Sequence, residues 1–205
     1  GWDPEEAGKA GLLPNKKTAK ILFTGMFYGI QRPEPFLDAV DHGKLSGIEF
    51  HILGDVWDSS NRLKDASIPV KAMGRLPRAD VLLKMREADF LLITLTRRAP
   101  GVVPGKMFEY AAAGRPILAV VPPNGEVAAW VEETGTGFVI PCEPKETAAE
   151  ELAKLLDKWR NGQLEFSPDP KALQRYAAPN IAIDVDNILE RTIAAAHQRN
   201  RRKER

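Results

Sequence analysis

Residues 90–121 read FLLITLTRRAPGVVPGKMFEYAAAGRPILAVV, and the order of signals within them decides the fold. Phe90–Leu95 is an uninterrupted apolar run, the pattern of a strand buried on both faces. Gly105 to Ala113 carries helical spacing and closes at Gly114, a usual C-terminal cap. Pro116 to Val121 is apolar again, entered through a proline that a first strand position tolerates. Strand, loop, helix and strand in that order make a crossover unit of a parallel sheet.

Working outward, the same alternation repeats. Lys20–Thr24 reads as a strand ending at Gly25, Pro33 to about Lys44 as a helix, and Ile48–Leu53 as a strand stopped by Gly54. Ile68 to Met73 is a weaker strand, and Ala79 to Ala88 a helix with Val81, Leu82 and Met85 on one side. Beyond Val121, Asn124 to Thr134 reads as a helix, Phe138–Ile140 as the last strand, and Pro144 to Trp159 as a long amphipathic helix. The expectation is an α/β fold: a doubly wound parallel sheet, Rossmann-like, with a C-terminal helical extension. That extension follows the turn-rich Ser167–Pro170, with helices over Lys171–Tyr176 and Asp184–His197. The domain division expected is 1–19 as lead-in, 20–162 as the Rossmann-like domain, 163–198 as helical extension and 199–205 as a basic tail.

The totals agree with one large domain. The 205 residues are 43% hydrophobic and 28% charged, with a mean hydropathy of −0.29, which suits a chain that folds around a core. No apolar run approaches the roughly 20 residues of a membrane-spanning helix. No signal-peptide pattern opens the sequence, and Cys142 is the single cysteine, so a reducing cytoplasmic setting is expected. A net charge of +1 argues against nucleic acid as a partner. Residues 199–205 carry five basic groups against one acid, and read either as a solvated terminus or as an electrostatic attachment to anionic lipid at the inner membrane face.

Ligands of such sheets bind beyond the carboxyl ends of the strands, where strand order reverses. Four loops reach that edge: Gly25 to Arg32, Gly74 to Arg78, Thr96 to Lys106 and Pro122 to Gly125. They are rich in glycine, proline and basic residues, which suits a polyanion. The third runs into a helix start, where unpaired amides and the positive end of the dipole cradle phosphate. Gly105 admits close approach, and Lys106 adds a point charge. The segment is not a P-loop: Gly101 and Gly105 stand one residue too close, and Met107 replaces the magnesium-binding hydroxyl. Read alone, its glycines make either a phosphate cradle or plain turns. Glu109 is one turn further along, where a carboxylate can hold a ribose diol; in isolation it also reads as a solvated helix residue.

The run Val103-Pro104-Gly105-Lys106-Met107-Phe108-Glu109-Tyr110-Ala111-Ala112-Ala113-Gly114-Arg115-Pro116-Ile117 resembles the donor-site helix of retaining, GT-B-fold glycosyltransferases of the group 1 family. Leu22 to Gly29, continuing through Arg32 to Leu37, is similar to the opening of that family's C-terminal, donor-binding domain, and Gly1–Glu6 to the linker before it. The resemblance implies transfer of a sugar from a nucleoside diphosphate donor with retention, without a metal or other cofactor. It implies that Glu109 holds the ribose, that backbone groups of Gly105, Lys106 and Met107 cradle the diphosphate or sugar, and that Gly25 admits a phosphate. Arg32 is the nearest basic contact for the diphosphate, at an unusual spacing. Gly74, Arg75 and Leu76 would enclose the base. A missing N-terminal domain would hold the acceptor and part of the catalytic constellation, and the final helix, with Val185, Ile188, Leu189 and Ile193 on one face, would cross towards it. Relatives carry a second glutamate eight positions before the ribose-binding one; Gly101 stands there in this chain.

Other constellations are weaker. Asp184-Val185-Asp186 spells the paired aspartates of metal-dependent transferases but falls at an expected helix start, where Asp184 reads as an N-cap. No zinc, calcium or serine-hydrolase motif is present. Two rival functions stand beside transfer: a nucleotide-sugar 2-epimerase of related fold, and a non-catalytic nucleotide-binding or interaction domain.

Overall fold

A computed structural model of the chain describes residues 7–13, 17–56 and 60–203, with side chains described for all of these except 60 and 194–203. Gly1–Glu6 and part of the expected lead-in lie outside the described residues. The six strands are β1 (Ala19–Thr24), β2 (Ile48–Leu53), β3 (Val70–Ala72), β4 (Phe90–Thr94), β5 (Ile117–Val121) and β6 (Gly137–Pro141). They form one sheet in the order β3-β2-β1-β4-β5-β6. Every pair is parallel. The order reverses between β1 and β4, so the crevice expected for a ligand opens above their carboxyl ends.

Two helical layers cover the sheet, because alternate residues of each buried strand point to opposite faces. Leu118 and Val120 of β5 pack with Phe36 of α1 (Glu34–His42), Leu63 of α2 (Ser60–Lys64) and Leu152 of α6 (Lys145–Arg160). Ile117, Ala119 and Val121 pack on the opposite side with Met85 of α3 (Arg78–Arg86), Tyr110 of α4 (Lys106–Ala113) and Val131 of α5 (Glu126–Thr134). Two interior strands, β4 and β5, are buried at every residue. Their near-continuous apolar sequence is what this double cover demands.

The lead-in docks on the α4 side: the Gly8 amide donates to the Ala112 carbonyl at 2.6 Å, and Gly11 to Gly114 at 3.1 Å. A short α7 (Pro170–Gln174) follows α6, capped by the Asp169 carboxylate accepting from the Lys171 amide at 2.8 Å.

Three readings are corrected. The five-residue α2 was not expected, since SNRLK carries no apolar period. The third strand is shorter than Ile68–Met73, covering Val70–Ala72. The last helix, α8, spans Ala178–Lys203 rather than Asp184–His197, so Asp184 is an interior residue and not an N-cap. Pro179 explains the earlier start: proline supplies a helical φ where its missing N–H costs no bond. The backbone of residues 199–203 continues α8, while 204 and 205 lie outside the described residues. On α8, Ile183, Val185, Ile188, Leu189 and Ile193 are all 50–61% exposed.

Candidate functional site

The crest above β1 and β2 is built on glycine. Gly25 ends β1 at φ +106, and its amide donates to the Leu53 carbonyl at 2.8 Å. Gly54 ends β2 at φ +134, and its amide donates to Gly74 at 2.8 Å. The two turns touch: a Cβ on Gly54 would sit 1.9 Å from the Gly25 carbonyl oxygen. Only residues without side chains let three strand-end loops converge this closely.

Beneath that crest lies an open cavity of about 440 Å3, within the range of roughly 300–1,000 Å3 usual for small-molecule sites. Gly25, Asp55, Arg75, Leu76, Lys106 and Glu109 line it, with Thr24, Leu53 and Val81 among the remaining wall residues. Helix α4 is aimed at the cavity by Tyr110. This fully buried side chain accepts a hydrogen bond from the Thr24 amide at 2.9 Å, joining α4 to the end of β1. Burial pushes its phenol pKa up, so the group stays neutral and structural.

Each carboxylate on the wall meets an arginine, Arg75 from the segment between β3 and α3 and Arg78 from the first position of α3. Arg75 donates to Asp55 at 2.5 Å, and Arg78 to Glu109 at 3.3 Å. Glu109 is 43% exposed and Arg78 63%, so the second pair is worth little in water and yields readily to a ligand. The α4 entrance is less open than its sequence suggests. The Met107 amide already donates to Pro104 at 3.1 Å and the Phe108 amide to Gly105 at 3.2 Å, while the Met107 side chain is in the core. Among the described residues, the amides of Gly105 and Lys106 in this turn have no protein acceptor. Lys106 lies deep: its Nζ is buried, without a hydrogen-bond partner, 3.7 Å from the centre of the Phe23 ring. Burial holds its pKa down to about 7, against the opposing pull of Glu109.

The sequence-derived residues thus divide. Gly25, Arg75, Leu76, Lys106 and Glu109 share one cavity, and Gly74 supports it from behind through Gly54. Arg32 is elsewhere. It lines a second cavity of about 590 Å3 with Gly29, Arg97, Arg98 and Lys145, and its guanidinium is held by Glu34 at 2.9 Å. The bridge between Tyr28 and Gln31 turns the loop before Arg32 is reached. Asp55 went unnoticed in the sequence, although a carboxylate directly after a strand-ending glycine is a signal that was there to read. Among the described residues no cluster of three His, Cys, Asp or Glu is placed to hold a metal ion.

The family model "Glycosyl transferases group 1" matches residues 18–158, which include every residue lining the cavity. The chain belongs to the group 1 glycosyltransferases. Within the family it is 32% identical over 152 residues to the "Probable glycosyltransferase WbjE" of Pseudomonas aeruginosa, covering 71% of this chain and 37% of that protein. Its fold is that of the sucrose-phosphate synthase of Thermosynechococcus elongatus, with a TM-score of 0.65 at 16% identity over 89% of this chain and 47% of that one. The Anabaena protein HepE, solved in complex with UDP, gives a TM-score of 0.62 at 18% identity, over 85% of this chain and 49% of that one. The C-terminal domain of LpcC, a group 1 family protein of Francisella tularensis, gives 0.56 at 14% identity, over 80% of this chain and 92% of that domain. This group 1 glycosyltransferase chain therefore spans about half, or less, of the full-length relatives it matches.

Proposed function

We propose that this chain binds the nucleoside diphosphate sugar for a retaining glycosyltransferase whose acceptor is held by a second domain. One observation carries the reading: Lys106 and Glu109, from the first turn of α4, line the same cavity as Gly25 at the end of β1, at the point where strand order reverses. Glu109 accepts from the ribose diol after releasing Arg78. Arg75 and Leu76 border the base, and Gly25 lets a phosphate approach the backbone. The amides of Gly105 and Lys106 meet the diphosphate, whose charge grows as the sugar departs. No metal is required for that stabilisation. The UDP bound by HepE and the wording of the family description support this reading over epimerisation.

The apolar face of α8 supports the second domain. Five exposed branched side chains along one helix need a cover, and the relatives contain more than twice the length matched in this chain. Slower amide exchange in α8 when the remainder of a full-length protein is attached is the expected result; unchanged exchange would reject this docking. The basic run at 199–205 would then lie at a membrane face beside a lipid-linked acceptor, which liposome binding with and without those residues tests.

The donor reading is tested by thermal shift with UDP, GDP, dTDP and ADP. One of the four should stabilise the chain, by about 2.7 kcal/mol at a ligand concentration 100 times Kd. No shift with any of them rejects the site.

A further inference from the structure

Lys106 is the least settled group in the cavity. Its ammonium nitrogen is fully buried without a hydrogen-bond partner, against the Phe23 ring and 3.3 Å from the point where a Cβ on Gly25 would lie. The charged groups around it come from three elements. Glu109 on α4 is engaged by Arg78, Asp55 beyond β2 is engaged by Arg75, and Thr24 and Tyr110 bond to each other. Among the described residues, both carboxylates lining the cavity are thus matched to arginines, and neither bonds the lysine Nζ. A buried ammonium without a counter-charge costs several kcal/mol. Stability alone would favour an apolar side chain of equal length here.

Resting on the donor reading above, we propose that the Lys106 ammonium is the cationic contact of the donor's diphosphate and that it gains a proton as the ligand binds. The phosphate admitted at Gly25 arrives beside Nζ, and an anion at that distance favours the charged form. With the free group depressed to about 7, Lys106 is mostly neutral at pH 8 and is recharged by the ligand. The sign follows: the group's proton is fully present in both states at low pH, so uptake vanishes there. Above the depressed pKa the free protein has lost the proton that the complex keeps, and affinity falls with rising pH. The fall is about tenfold per pH unit until the raised pKa of the complex is reached. The terminal phosphate of a nucleoside diphosphate has a second pKa of about 6, so at pH 8 it is almost fully ionised before it binds and contributes little to the uptake.

Isothermal titration of the 205-residue chain at pH 8, in two buffers of different ionisation enthalpy, counts the protons taken up. The ligand is whichever of UDP, GDP, dTDP and ADP stabilises the chain. The expected uptake is about 0.9 proton per ligand, following from a free pKa of about 7. Lys106→Met should take up none, lose the pH dependence of its affinity, and melt a few degrees higher without ligand, as a buried amine that gives up its proton on folding is replaced by a thioether. Higher melting confirms that the variant is folded. Binding that Glu109→Ala weakens but that draws no proton in the wild type overturns the inference and leaves the donor site standing. So does the same uptake in Lys106→Met. Failure of all four nucleotides to bind overturns both.

Discussion

Alanine at position 109 will weaken nucleoside diphosphate binding by about 100-fold while leaving the melting temperature unchanged. Two hydrogen bonds from a ribose diol to a carboxylate are charge-assisted, worth about 1.5–3 kcal/mol each; the low end of that range, less the Arg78 pair that the ligand displaces, leaves about 2.7 kcal/mol, or 100-fold in Kd. Stability should not move, because the partner lost is the exposed Arg78 at 3.3 Å, and such pairs contribute about 0–1 kcal/mol. The separation of the two effects is the informative part. A variant that binds normally removes Glu109 from the site, whereas one that unfolds would show that the Arg78 contact is structural. Glu109→Gln should retain a fraction of the affinity, since its amide oxygen still accepts one bond.

The second large effect is structural. Gly54→Ala will destabilise the chain by about 3 kcal/mol or more, lowering its melting temperature by roughly 6–12 °C. The new methyl would lie 1.9 Å from the Gly25 carbonyl oxygen, so the backbone itself must shift, and φ +134 is hostile to any L side chain. The displaced neighbour is the turn that closes β1 over the cavity, so nucleotide affinity should fall with stability. Gly101→Ala is the control: nothing lies within 4 Å of its added Cβ, and it should melt like the wild type. Equal melting of the two variants would contradict the described crest.

The layered architecture was legible because burial on both faces leaves a plain trace: β4 and β5 are unbroken apolar runs that no solvent-facing strand could carry. The depth of the site was less legible. Glu109 could be placed because its position follows from helical geometry once α4 is known. Arg32 could not, since the direction of its side chain depends on a turn closed by mutual backbone bonds between Tyr28 and Gln31 at 2.9 Å. The burial of Lys106 depends on Phe23, which is 83 positions away in sequence and meets it only in the fold. Met107 was expected to offer an amide, but Pro104 accepts it as the last turn before α4 tightens. The start of α8 was missed for a different reason, as Asp184 offers a stronger capping signal than the proline that begins the helix.

The most direct test of the central claim is amide chemical-shift mapping of the chain as a nucleoside diphosphate is added. The largest changes are expected at Gly25, Gly105 and Lys106, with Gly29, Arg32 and Arg98 moving little. Changes centred instead on Arg32, Arg98 and Lys145 would place the phosphates in the second cavity and contradict it.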